Sequence, residues 1–214
     1  MPEVPLSDIE LIGFPQSSYV WAVRMALEEK GVQYDLVTDI DLASEIYAED
    51  HHPFRKMPAF HHGDVEIFES SAIMRYIDEA FEGPSLTPSS IIGRARMNQW
   101  MSAIGDYLYD SAIRNLVIPR LARPELADEA KIAANQETLR AHLAVFDRAL
   151  YEDHWLAGME FSLADCMLAP IIAYLGMVPE GKEALERWVH LARFVDHTQS
   201  RVSFQKASPS AGKK

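Results

Sequence analysis

At 214 residues and 24.2 kDa, with 48% hydrophobic and 24% charged residues, the chain is long enough to bury a core of one or two domains. A net charge of −12 argues against nucleic-acid binding, which needs clustered Lys and Arg, and no apolar run approaches the ~20 residues of a membrane span. The opening MPEVPLSDIE is acidic and proline-broken, unlike a signal peptide, and the lone Cys166 excludes an internal disulfide, which fits a reducing, cytoplasmic setting.

The first eighty residues alternate like an α/β unit. Ile9 to Phe14 reads as a buried strand that ends at Gly13 and Pro15. Ser17 and Ser18 offer an N-cap to a helix in which Val20, Val23 and Leu27 recur at helical spacing, with Gly31 at its C-terminal stop. Val32 to Val37 reads as a second strand, and the acidic stretch Asp39 to Asp50 as loop and short helix. Then comes PFRKMPAFHHGDVEIFESSAIMRYI, from Pro53 to Ile77. It reads as a strand entered through Met57-Pro58, a hairpin at His62-Gly63-Asp64, a second strand, and a helix opening at Glu69-Ser70-Ser71. The βαβ–ββα order predicts a mixed four-stranded sheet with helices packed against it.

Glu82 to Ser90, EGPSLTPSS, is composed as a linker. From Ile91 to about Leu191 the pattern is helical, with breaks expected at Pro119, Pro124, Gly158 and Pro179 and one apolar stripe traced by Ile132, Leu139, Leu143, Phe146 and Leu150. The expected domains are residues 1–81, a linker over 82–90, an all-helical domain over 91–205 and a disordered tail over 206–214.

Several residues carry chemistry, each beside a plainer explanation. Ser17 lies where a strand has ended and a helix begins, so its hydroxyl can donate to an anion while the helix end adds its dipole; it can equally be an N-cap alone. Ser18 and Tyr19 compete for the same role. Glu69 and Ser70 open a helix, where free N–H groups gather an anion, yet both residue types favour first turns in any case. X–Pro bonds in folded proteins are mostly trans, and that is the expectation for Pro58 from the sequence alone. His51-His52 and His61-His62 lack the spacing and company of a metal site, so no metal is expected. Cys166 reads as a buried structural residue.

Taken in order, Ser17-Ser18 with VWAVRMALEEKGVQY, then HPFRKMPAF, then FESSAIMRYI, resemble the N-terminal domain of the glutathione S-transferase family. FSLADCMLAPII, Phe161 to Ile172, resembles the Ser-x-x-Asp capping box and hydrophobic staple of that family's helical domain. The resemblance spans residues 8 to 200 and implies an α/β thioredoxin-like domain followed by an all-α domain. It also implies glutathione as co-substrate, an acceptor that is a small hydrophobic electrophile, and a homodimer. Among its classes the chain is similar to the serine-type phi, theta and zeta groups. Ser17 becomes the hydroxyl that favours thiolate on glutathione, with Ser18 and Tyr19 as alternates. Pro58 becomes a cis-proline that turns the Met57 backbone toward the cysteinyl part. Glu69 and Ser70 hold the γ-glutamyl end, and Lys56 reaches the backbone or glycyl end. The stretch upstream is acidic and shortened, leaving His51 and His52 as weak candidates for the glycyl carboxylate. The electrophile site is expected between the domains, lined by Trp100, Met101, Tyr107 and Arg114, although aromatic and Met residues at helical spacing also fit a core. Phe54 is either core or an aromatic presented to a partner subunit. The absence of a cysteine near Ser17 argues against thiol exchange through the protein. A non-enzymatic binding or regulatory module of the same fold is the other function class.

Overall fold

A computed structural model describes residues 8–210. The acidic first residues and the final AGKK, on which the absence of a leader and part of the tail expectation rest, lie outside the described residues. The chain divides into two compact units. One comprises the residues up to Leu86 together with those from Arg201 onward, and the other is Thr87–Ser200.

In the first unit β1 (Ile9–Ile12), α1 (Ser18–Lys30), β2 (Asp35–Val37), α2 (Glu45–Asp50), β3 (Ala59–His62), β4 (Val65–Phe68) and α3 (Ser70–Ala80) follow in turn. The sheet order is β2-β1-β3-β4, with β1 parallel to β2 and antiparallel to β3, and β3 antiparallel to β4. This is the mixed four-stranded sheet the sequence predicts. Gly63, at φ 58, supplies the left-handed backbone for the tight β3–β4 turn. Gly13 has φ 152, and a Cβ there would stand 2.6 Å from Val20 Cγ2, so only glycine lets β1 end so close to the start of α1.

The strands are shorter than predicted. β1 stops at Ile12, because Gly13 leaves the ladder, and β2 covers only Asp35–Val37, an edge strand held by β1 alone. The larger difference is at the end of the chain. Val202–Ala207 forms a helix, α9, with Ala207 fully buried, so the disordered tail does not begin at residue 206 and the helical domain does not run to 205. Phe204 stacks on Trp21 with ring centroids 4.9 Å apart. Arg201 forks onto Glu29 with two bonds of 2.8 Å, and the Ser203 hydroxyl also donates to that carboxylate. Burial alone would raise the Glu29 pKa, but these bonds and the Arg201 charge hold it below the ordinary value. With α3 and α9 both packed on it, α1 buries far more than the predicted Val20–Val23–Leu27 stripe: Trp21, Ala22, Met25 and Ala26 are buried too.

The segment expected as linker is tied down at its start. Leu86 N–H donates to Asp78 Oδ1 at 2.8 Å, and Lys30 Nζ bridges Asp78 and the carbonyl of Pro84. Lys30 and Asp78 are both nearly fully buried, so each satisfies a charge the other could not leave unpaired.

The second unit holds α4 (Ile91–Ala103), α5 (Glu129–Ala149), α6 (Leu163–Leu175), α7 (Pro179–Leu185) and α8 (Val189–Gln199). Past Ala103, α4 continues in wide π-type turns over Ile104–Leu108 and Asp110–Ala122. Pro119 therefore does not break the helix. In a wider turn the ring is spared the carbonyl four residues back that it strikes in an α-helix. The α5 stripe is as predicted, with Ile132, Leu139, Leu143, Phe146 and Leu150 all buried. α6 opens on a complete capping box: Asp165 Oδ2 accepts from Ser162 N–H at 2.9 Å and from the Ser162 hydroxyl at 2.7 Å, while Oδ1 accepts from Leu156 N–H at 2.8 Å. Among the described residues no helix is long and apolar enough to cross a membrane.

Candidate functional site

Sheet register brings three segments of the first unit to one end of the sheet. Ile12 pairs with Ala59, and Ala59 with Phe68. One residue further along each strand, Gly13, Pro58 and Glu69 therefore stand side by side. Ser17 follows Gly13 across a short turn closed by its own N–H onto Phe14 O at 2.9 Å. Phe14 N–H in turn points at Met57 Sδ, 3.4 Å away, which locks the Ser17 turn to the Met57–Pro58 segment.

Ser17 is the N-cap of α1, in extended conformation (φ −69, ψ 128) and half-buried. Its Oγ accepts from Val20 N–H at 3.4 Å, a long bond that leaves the hydroxyl proton unspent. The N-cap expectation is met, and the Ser17 hydroxyl keeps the proton that a donor role would use. Ser18 is different. It is 5% exposed, and its Oγ makes no hydrogen bond among the described residues. Tyr19 is half-buried in the same turn.

The Met57–Pro58 bond is cis, as the family resemblance implies and against the trans expectation from X–Pro preference alone. Lys56 is exposed, and its carbonyl accepts from Tyr47 OH at 2.6 Å, so α2 anchors the loop. Glu69 is exposed and adopts φ 70, ψ 113, a conformation that costs a non-glycine residue about 1–3 kcal/mol. No side chain caps α3. The helix ladder begins with Ala72 and Ile73 N–H on the Glu69 carbonyl, so the N–H groups of Ser70 and Ser71 precede it and face outward with the positive dipole end. Ser70 itself is buried, 7% exposed.

His52, a weak candidate for the glycyl carboxylate, is not placed for that role. It is 2% exposed, with its ring 5.0 Å from Phe68 and 6.2 Å from Phe54, so it cannot serve as an open cation for a carboxylate. His51 instead faces His61, ring nitrogens 3.4 Å apart, and His61 lies 3.6 Å from Glu10. Among the described residues no group of three or more His, Cys, Asp or Glu is arranged to hold a metal ion. Cys166 is fully buried in α6.

In the helical unit, Met101 is 2% exposed and belongs to the inward stripe of Met97, Ile104 and Leu108; the helical spacing that suggested a ligand box is the core spacing there. Trp100 is half-buried against Phe146, ring centroids 5.2 Å apart. Tyr107 is exposed, while Arg114 pairs with Asp110 at 3.3 Å and lies over the Tyr109 ring.

A hydroxyl on a helix end, a cis-proline loop and an uncapped helix start thus lie together at one end of the sheet. Comparison with known proteins shows the family. Residues 11–85 match the family model "Glutathione S-transferase, N-terminal domain", and residues 109–201 match "Glutathione S-transferase, C-terminal domain". The chain is 30% identical to "Glutathione S-transferase 3" of Zea mays, over 94% of this chain and 93% of that protein. Poplar glutathione transferase F1 superposes with a TM-score of 0.87 at 26% identity, covering 97% of this chain and 100% of the other. A theta-class glutathione S-transferase from Xanthomonas axonopodis pv. citri, solved with glutathione bound, gives 0.82 at 26% identity, covering 94% and 97%. The chain belongs to the glutathione S-transferase family.

Proposed function

We propose that this glutathione transferase ionises the thiol of glutathione against the Ser17 hydroxyl and directs the thiolate at a small hydrophobic electrophile. The observation that carries the reading is the register: Gly13, Pro58 and Glu69 stand abreast, with Ser17 locked to Met57 through Phe14. The γ-glutamyl carboxylate meets the Ser70 hydroxyl and the first N–H groups of α3, Glu69 takes the ammonium, and the Met57 backbone pairs with the cysteinyl residue. Lys56 is the cation for the glycyl end.

A free thiol with pKa near about 8.5 is mostly protonated at neutral pH. Moving it down by about two units takes about 2.7 kcal/mol, the scale of one hydroxyl donor assisted by a helix dipole. The thiolate then forms the S–C bond to the electrophile as the leaving group departs. Trp100, Tyr107 and Arg114 expose the surface offered to that second substrate. Phe54, 68% exposed, is proposed as the aromatic presented to a second copy in a two-fold dimer, and the setting as cytoplasmic.

Turnover of a generic aryl halide, with Ser17→Ala alongside, tests the reading. Lost turnover at near-normal glutathione affinity supports it. Unchanged turnover in Ser17→Ala moves the role to Ser18 or Tyr19, and failure of the unmodified protein either to bind glutathione or to use the halide leaves the non-enzymatic module.

A further inference from the structure

Beneath the proposed glutathione site lies a side chain with no assigned role. His52 is 2% exposed and packed among the end of α2, the Lys56–Met57 turn and the end of β4. Its backbone N–H donates to Tyr47 O at 3.1 Å, fixing it to the end of α2. Its carbonyl accepts from Arg55 N–H at 2.8 Å, closing the turn that runs into Lys56 and Met57. Its ring lies against Phe68, the residue before Glu69. Its Nδ1 accepts from Phe54 N–H at 3.3 Å. That last bond fixes the chemistry. An Nδ1 that accepts carries no proton, so the ring is neutral with its proton on Nε2.

We propose that His52 is a positioning residue of the glutathione site and an acid-sensitive one: its neutral ring ties the turn bearing Lys56 and Met57 to the strand end bearing Glu69, and protonation releases that turn. A proton taken up at Nδ1 occupies the lone pair that Phe54 N–H uses. The amide then loses its acceptor and meets a second N–H donor inside a nearly closed site. The turn is already strained, since Arg55 sits at φ 53 and is held there from outside by its ion pair with Glu45 on α2.

Burial is the main influence and holds the ring below its ordinary ionisation range; the Glu69 carboxylate acts against burial and the Lys56 ammonium with it. A folded-state value lowered in this way means that the native turn is intact above the ordinary imidazole range and is lost as pH falls through the lowered value. Glutathione binding should weaken on the acid side accordingly. This inference rests on the glutathione reading of the site.

The test uses S-methylglutathione, whose thioether cannot ionise, so the thiol's own titration drops out. Its dissociation constant is measured calorimetrically on the full chain between about pH 7.5 and about pH 5, a range in which His is the side chain that ordinarily titrates. The intact protein should bind about ten-fold more weakly at the acid end, the loss of one buried hydrogen bond. His52→Ala, which offers Phe54 N–H no acceptor, should be weak throughout. His52→Asn places an amide oxygen where Nδ1 stood and cannot titrate, so it should rescue the affinity and flatten the pH profile. A flat profile in the intact protein, or an acid loss in His52→Asn equal to that of the intact protein, overturns the proposal. No binding by the intact protein at any pH overturns the glutathione reading itself.

Discussion

α3 and α6 each open on a serine paired with a carboxylate, and they use the pair in opposite ways. At α6 the pair is spent internally: Asp165 is fully buried and closes onto Ser162 and Leu156 with three bonds. At α3 nothing is closed. Glu69 is exposed, strained at φ 70 and caps nothing, and the first N–H groups stay open. A closed start lowers the energy of the fold, whereas an open one leaves donors and a positive dipole end for a ligand. α1 stands between the two, its Ser17 oxygen capping at a long 3.4 Å with the hydroxyl proton still to give. The lesson is that a Ser and an acid at a helix start carry no function by themselves; whether the side chains turn inward decides it.

The comparison can be broken at each helix start. The largest effect is expected at the closed one. Asp165→Ala strands three donors and should destabilise the protein by about 3–5 kcal/mol, read by chemical denaturation, while glutathione affinity in the folded protein is unmoved. Next comes Ser17→Ala, expected to lower turnover about 25-fold at neutral pH, the fall in thiolate fraction as the bound thiol returns from about 6.5 to about 8.5, with the glutathione KM changed little. Ser70→Ala should do the reverse, raising the glutathione KM about tenfold while kcat barely moves, because it removes a hydrogen bond to a charged end present equally in ground and transition states. Smallest is Glu69→Gly. Relief of the positive φ should stabilise the fold by about 1 kcal/mol in a thermal melt, and glutathione affinity should still fall. Loss of stability together with full affinity there would mean that Glu69 is structural and the open start is not a binding site.

Much of this was legible in the chain. Gly63 announces the hairpin, Ser17 and Gly31 bracket α1, and the Ser162–Asp165 spacing announces the α6 cap, because each signal is local. What stayed hidden depends on contacts distant in sequence. Arg201 meets Glu29 across 172 positions, so most of the closing helix was assigned to the helical domain and its last two residues to a tail. His52 meets Phe68 only once the β3–β4 register is set, and in the sequence it stood beside His51 as a weak candidate for the glycyl carboxylate. Met101 shows the opposite failure, since the spacing that suggested a ligand wall is shared by any buried stripe.

The central claim is that Ser17 on its half-open helix start ionises glutathione. The direct measurement is the ultraviolet thiolate absorbance of glutathione bound to the protein, titrated across pH in the unmodified chain and in Ser17→Ala. The account expects half-ionisation about two units below the free thiol, near about 6.5, and a return toward about 8.5 in the variant. The same midpoint in both proteins would contradict it.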